Sequence, residues 1–260
     1  MGKRDLSSMR MILTGASSGV GLALAKRLAD HGCRFVLTAR RKENLDTLAD
    51  AIGRDRAVVV AGDISDAGLQ QALVATCVES FGGIDCVINN AGIGAIGRFD
   101  EAEPERLRKV FDVNFFAVAE LTRKCLTHLE QGNDSLIVNI GSVLGHRAAP
   151  LKSEYSASKF AIHGFTDSLR AELTKSSIEV LLVSPSTIKS PFFDSCIDNT
   201  GNSNGNTRSA MTPEYVAEKI IRAMVKRKHE IIIPFSGKLL VWLDRMMPAI
   251  ADRIVARFGQ

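Results

Sequence analysis

Tyr155-Ser156-Ala157-Ser158-Lys159 sets a phenol and an ammonium four positions apart. On a helix, residues i and i+4 share one face. A tyrosine ordinarily ionises near pH ~10, too high for ready proton exchange at neutral pH. A lysine beside it favours the phenolate and lowers that pKa, so the pair reads as a tuned proton donor and acceptor. YxxxK by itself is a common pattern. Its weight comes from a distant second signal, Thr14-Gly15-Ala16-Ser17-Ser18-Gly19-Val20-Gly21, which follows one apolar run and opens an amphipathic one. Small residues there let the backbone approach a pyrophosphate, and a helix N-terminus offers it free N–H groups and a positive dipole end. Gly15, Ser17, Ser18, Gly19, Val20 and Gly21 are therefore the expected phosphate cradle.

The end of the next apolar run should carry an acid if the ligand is NAD, to bind the adenosine ribose hydroxyls. This chain has Ala39, then Arg40, Arg41 and Lys42. Guanidinium suits a 2′-phosphate, so NADP(H) is expected ahead of NAD(H). Further along, Asp63-Ile64 would meet the adenine, and Asn90-Ala91-Gly92, after Asn89, would run backbone along the cofactor.

These residues need a frame. The chain has 260 residues, 45% of them hydrophobic, enough for one large α/β domain with a substantial core. Lys and Arg total 33 against 29 Asp and Glu, a formal charge of +4, too mild to call for a nucleic-acid partner. Cys33, Cys77, Cys86, Cys125 and Cys196 are scattered with no CxxC. That argues against zinc or a disulfide framework and fits a reducing cytoplasm. His31, His128, His163 and His229 suggest no metal-ligand cluster, so no metal is expected. No signal-peptide h-region is present, and Leu6 stands where a myristoylation motif wants Ser or Thr.

Apolar runs at 11–14, 35–38, 57–60, 86–89, 136–140, 180–184 and 231–233 read as buried strands. Helical patterns lie between them at 21–30, 43–52, 67–81, 104–129, 155–174 and 213–228. The alternation predicts a single-domain α/β Rossmann fold over 1–260, a doubly wound seven-stranded parallel sheet with helices on both faces. Ligands would bind beyond the carboxyl ends of its strands. Residues 187–211, Asn-, Ser- and Gly-rich from Asp194 to Ser209, read as a substrate loop or lid. Residues 237–258 read as an amphipathic helical extension with a stripe of Leu239, Leu243, Met246, Met247, Ile250, Ile254 and Phe258. It is too polar and interrupted to span a bilayer. The stripe packs on its own domain, on another subunit or weakly on a membrane surface.

Over nearly its whole length the chain resembles the short-chain dehydrogenases/reductases. The resemblance rests on TGxxxGxG at Thr14–Gly21, NNAG at Asn89–Gly92, a helical Asn114, Ser142 after the fifth strand and YxxxK at Tyr155–Lys159, in matching order and spacing. It implies a mechanism. Tyr155 gives a proton to a carbonyl oxygen as hydride arrives, or removes it in the reverse direction. Lys159 lowers the phenol pKa and holds the nicotinamide ribose, Ser142 hydrogen-bonds the substrate oxygen, and Asn114 anchors a water chain to Lys159. Pro185, Ile188 and Ser190 would meet the nicotinamide end, although Pro185-Ser186 replaces the family's usual Pro-Gly. By position, Gly94, Leu144, His146, Arg147, Leu151, Phe192 and Phe193 join Ser142 and Tyr155 around the substrate. Their apolar character points to a hydrophobic ketone, aldehyde or secondary alcohol, and Arg147 or Lys152 would touch an anionic end. The ending after Ile233 is similar to hydroxysteroid dehydrogenase-like and carbonyl reductase members. The alternatives are a 3-oxoacyl-carrier-protein reductase, against which the missing Gly-Gly ending counts, and a non-catalytic NADP-binding sensor. The family implies a homodimer or homotetramer, with Phe115, Phe116, Phe160 and Phe165 serving either that contact or the core.

Overall fold

The computed structural model describes residues 2–190, 192, 196–197 and 210–256. Its strands are β1 (Arg10–Thr14), β2 (Arg34–Thr38), β3 (Ala57–Val59), β4 (Cys86–Asn89), β5 (Leu136–Ile140), β6 (Glu179–Pro185) and β7 (Glu230–Ile233). Its helices are α1 (Gly19–Ala29), α2 (Lys42–Ile52), α3 (Ala67–Phe81), α4 (Pro104–Phe111), α5 (Ala117–Glu130), α6 (Ser153–Glu172), α7 (Pro213–Val225), α8 (Phe235–Met246) and α9 (Pro248–Ala256). The strands form one sheet in the order β3-β2-β1-β4-β5-β6-β7, parallel at every pairing. The predicted fold class is the one observed.

The strands read as continuous apolar runs because both faces of the sheet are covered. Met11, Leu13, Phe35, Leu37, Ile88 and Val138 pack toward α1, α2 and α7. Their chain neighbours Ile12, Val36, Val87 and Ile137 pack toward α3, α5 and α6. The strand order reverses between β1 and β4, which opens a crevice at their carboxyl ends. Buried side chains brace that crevice from below. Asn89 Nδ2 donates to Asn139 Oδ1 (2.8 Å) and Thr122 Oγ1 (3.1 Å), and Asn139 Nδ2 donates to Thr166 Oγ1 (2.9 Å).

Two expectations change. The single helix over 104–129 is α4 and α5 joined by a π turn, Asp112–Phe116, in which the Ala117 N–H reaches back to the Asp112 carbonyl. The extra residue breaks the i→i−4 ladder, as π-bulges do, and Asn114 is buried within it. The tail is two helices, because Pro248 has no N–H to continue α8; Met247 turns to φ −143°, ψ 65° before it. The predicted stripe also does not cover the domain. In the single chain Leu239, Met246, Met247, Ile250 and Ile254 are exposed, while Gly237, Val241, Ala251 and Val255 form the buried side. Phe258, Phe193 and the Asp194–Ser209 stretch of the expected lid lie outside the described residues, apart from Cys196 and Ile197.

The start of α6 is pinned by a buried ion pair. Arg106 of α4 donates through Nε and Nη2 to Glu154 Oε1 (2.9 and 2.6 Å), and both side chains are nearly inaccessible. Glu154→Gln leaves the guanidinium without a charge partner. A loss of about 3–5 kcal/mol in unfolding free energy is expected, read as a lower denaturant midpoint at unchanged m-value. A loss below about 1 kcal/mol, the size of an exposed pair, would contradict it.

Candidate active site

A cleft of about 650 Å³ lies at the carboxyl ends of the strands. One end is built on the turn between β1 and α1. Gly15 has φ +67°, and a Cβ there would sit 2.8 Å from Asn90 Nδ2 and 2.9 Å from Ala91 Cα. The Thr14 hydroxyl fixes that neighbour by accepting from the Asn90 and Ala91 N–H groups, both at 2.9 Å. Ser18 stands at the N-cap of α1 yet makes no side-chain cap; its hydroxyl instead accepts from Arg41 Nη2 at 2.7 Å. The first turn of α1 therefore faces the cleft without a side-chain cap.

Gly15, Ser17, Ser18, Gly19 and Val20 line the cleft, and Gly21 does not. Gly21 is needed for helix–turn packing, since a Cβ there would collide with the Gly15 carbonyl. Ala39, Arg40, Arg41, Asp63 and Ile64 line the far end. Arg41 is held by the Ser17 and Ser18 hydroxyls. Arg40 is exposed and, among the described residues, makes no hydrogen bond or ion pair. The Ser65 N–H and hydroxyl both bond Asp63 Oδ1 (3.0 and 2.7 Å), and these bonds, with Arg40 and Lys109 nearby, hold its pKa low. Thr38 Oγ1 is buried at the same end with no protein partner. An uncapped helix start, a glycine cradle, free guanidinium and an orphan hydroxyl together fit a nicotinamide dinucleotide.

Asn90, Ala91, Gly92, Pro185, Ile188 and Ser190 line the middle of the cleft. Ser186 does not have a positive φ, so serine in place of glycine strains nothing there. Tyr155 and Lys159 come from the first turns of α6, and Ser142 from the end of β5. The Ser142 hydroxyl lies beside the phenol and acts to lower its pKa; it accepts from the Leu144 N–H at 3.1 Å and donates to the Pro185 carbonyl at 3.5 Å. Lys159 Nζ lies 5.8 Å from the Tyr155 ring centroid and donates to the Ile140 carbonyl at 2.8 Å. Asn114 does not line the cleft. Its amide bonds the Ile93 N–H and carbonyl (2.9 and 3.0 Å) and the Ser158 hydroxyl (3.0 Å). The side chain thus rivets the loop after β4 to α6.

The expected lowering of the phenol pKa by Lys159 is not what this geometry produces. Burial pushes Tyr155 up to about 12, with the Ser142 hydroxyl acting against it. Burial also brings Lys159 down to about 8. Desolvation penalises both charged forms. An ammonium with a depressed pKa lowers native stability wherever the unfolded chain holds its proton more firmly. That penalty, on the order of 3 kcal/mol, is full below pH ~8 and fades toward the unfolded value near ~10.5. The unfolding free energy of the wild type minus that of Lys159→Met should accordingly rise with pH across this window. A flat difference in denaturant titrations would contradict the shift.

Gly94, Leu144 and Phe192 line the substrate end as expected. Phe192 meets the Tyr155 ring edge-on at 5.8 Å, and a side chain at Gly94 would run into Phe192 and Cys196. His146, Arg147 and Leu151 are not in the wall. Arg147 turns outward to pair with Asp244 (3.1 Å) and Asp252 of the tail helices. His146 is buried against Ser184 Oγ (2.9 Å) and Glu230 (3.2 Å). His163, expected to be solitary, joins it: His146, His163 and Glu230 bring ligand atoms within 4.8 Å of one another, a grouping invisible in sequence spacing. Sequence reasoning also missed Thr38, Ile93, Ile96, Lys109, Val143, Ile197 and Leu240. Only the apolar run after Gly92 signalled any of these; nothing local marks Leu240, which α8 carries into the mouth.

The sequence model of the "short chain dehydrogenase" family matches residues 10–201. An "Uncharacterized oxidoreductase YxnA" of Bacillus subtilis is 31% identical across 98% of this chain and 73% of its own. A short chain dehydrogenase/reductase from Burkholderia phymatum, solved in complex with NAD, superposes with a TM-score of 0.87 at 25% identity over 95% of this chain and 96% of that one. A 3-ketoacyl-(acyl-carrier-protein) reductase from Brucella melitensis, solved with NADH, does so with 0.79 at 28% identity over 88% and 97%.

Proposed function

The chain belongs to the short-chain dehydrogenase family, an oxidoreductase family, and on that footing we propose that it reduces a hydrophobic ketone or aldehyde to its alcohol with NADPH, as hydroxysteroid dehydrogenase-like and carbonyl reductase members do. The observation that carries this reading is that Ser142, Tyr155 and Lys159 line the same cleft as the glycine turn. When bound, the nicotinamide supplies the hydride. Tyr155 gives its hydroxyl proton to the carbonyl oxygen; burial keeps the phenol protonated at neutral pH, which favours reduction. Ser142 accepts from Leu144, and its hydroxyl proton, held only by a long 3.5 Å bond to the Pro185 carbonyl, turns to the same oxygen as charge develops there. Lys159 holds positive charge near the ring, which stabilises the phenolate left behind. Asn114 acts as a positioning residue through Ser158 and Ile93.

The preference for NADP(H) rests on Ala39, Arg40 and Arg41, whereas both solved relatives above carry NAD or NADH. Reduction of a carrier-bound 3-oxoacyl group is the second reading, favoured by the likeness to the Brucella reductase. Against it stands Leu240 of α8 in the cleft wall. A screen of hydrophobic ketones, aldehydes and carrier thioesters with NADPH and NADH, with Tyr155→Phe as the blank, tests both. Absence of Tyr155-dependent turnover would leave the non-catalytic NADP-binding alternative. Phe116 and Phe160 are exposed and support self-association as a homodimer or homotetramer. The exposed Leu239–Trp242–Met246 face of α8 supports a weak membrane-surface contact; among the described residues no helix is long and apolar enough to cross a membrane. The free cysteines fit a cytoplasmic location.

A further inference from the structure

Five cations line the cleft, and four of them hydrogen-bond a neighbour or flank a carboxylate. Lys159 donates to the Ile140 carbonyl, Arg41 to Ser17 and Ser18, and Arg40 and Lys109 flank Asp63 at the adenosine end. Asp63 is also the one carboxylate in the wall among the described residues. Lys152 stands away from that carboxylate, beside the Cys196 thiol. It lines the cleft immediately before α6, three residues from Tyr155, and among the described residues its ammonium has no hydrogen-bond or ion-pair partner. Lys152 and Tyr155 line the same cleft. The backbone before Lys152 is held in place: Leu151 has φ +62°, an uncommon conformation for leucine, and its carbonyl accepts from the Gly97 N–H at 2.9 Å. Around Lys152 and Tyr155 the wall is apolar, formed by Ile93, Ile96, Val143, Leu144, Phe192 and Ile197.

An unpaired, half-buried ammonium facing an apolar chamber is costly unless a ligand completes it. Burial lowers its pKa, which agrees with partial removal from water. The expectation that Arg147 shares this task does not survive, since the two tail aspartates occupy it.

We propose that Lys152 is the anion-recognition residue of the substrate end and that the substrate is a hydrophobic oxo acid, its carboxylate on Lys152 and its carbonyl on Tyr155. The proposal rests on the oxidoreductase reading for the carbonyl, but not for the anion site. The test therefore reads binding rather than turnover. Isothermal titration of the full-length protein with decanoate and with decanamide compares two ligands of equal length and different charge. Decanoate should bind at least about tenfold more tightly, the worth of one charged hydrogen bond. Lys152→Met and Lys152→Gln should each erase the difference, and Lys152→Arg should retain it. Equal binding to the wild type, binding of neither ligand, or a preference that survives in both neutral variants would overturn the proposal. A Lys152-dependent preference alongside no carbonyl turnover would sink the reaction reading and leave the anion site standing.

Discussion

Tyr155→Phe should lower turnover by about 10²–10⁴-fold, the span of general acid catalysis, while NADPH affinity changes little. The substitution removes one oxygen and keeps the ring, so the edge-on contact with Phe192 and the shape of α6 persist. Two things are lost. The carbonyl oxygen has no acid to take a proton from, and the Ser142 hydroxyl loses its phenol neighbour. Lys159 cannot substitute directly, because its ammonium is directed at the Ile140 carbonyl. Stopped-flow reduction with a carbonyl substrate of the wild type, beside fluorescence titration of NADPH, separates the two effects. Residual turnover above about a tenth of wild type, when general acid catalysis is worth at least ~10²-fold, would remove Tyr155 from the proton-donor role.

Ala39→Asp combined with Arg40→Gln should reverse or strongly weaken the preference for NADPH. Arg40 lines the cleft and has no partner among the described residues, so its guanidinium is available to a 2′-phosphate. Removing a hydrogen bond to a charged group costs about 1.5–3 kcal/mol, and a carboxylate at position 39 adds repulsion toward phosphate while offering acceptors to ribose hydroxyls. The ratio of kcat/KM for NADPH to that for NADH should fall by ~10²-fold, about 2.7 kcal/mol. Arg41 is left in place because it also ties down the Ser17 and Ser18 hydroxyls, and its loss would disturb the phosphate turn. An unchanged ratio would falsify the assignment of Ala39-Arg40 as the selectivity determinant.

Much of the site was legible before any coordinates. The sequence positions 86–89 and 136–140 match β4 and β5 end to end, since buried parallel strands are uninterrupted apolar runs with few alternatives. Tyr155, Lys159 and the glycine turn announced themselves because their spacing follows helix and turn geometry. Arg147 was misjudged for the opposite reason. Its side chain is drawn away by Asp244 and Asp252, nearly a hundred residues further on, and no local pattern reports that attraction. His146 and His163 likewise meet only because the turn after β5 folds against the third turn of α6.

The sequence by itself determined the alternation of strand and helix, the glycine turn after β1 and the placing of Tyr155 and Lys159 on one helix, since each is a short-range consequence of residue type and periodicity. The tertiary structure decided which way the pair titrates, which cations line the cleft, how the π turn buries Asn114 and where the tail breaks from the domain. Those outcomes depend on desolvation and on contacts between elements distant along the chain. Lys159 placed near Tyr155 promised an acidified phenol; burial of both groups made it instead a phenol that keeps its proton, because removal from water penalises the charged form of each.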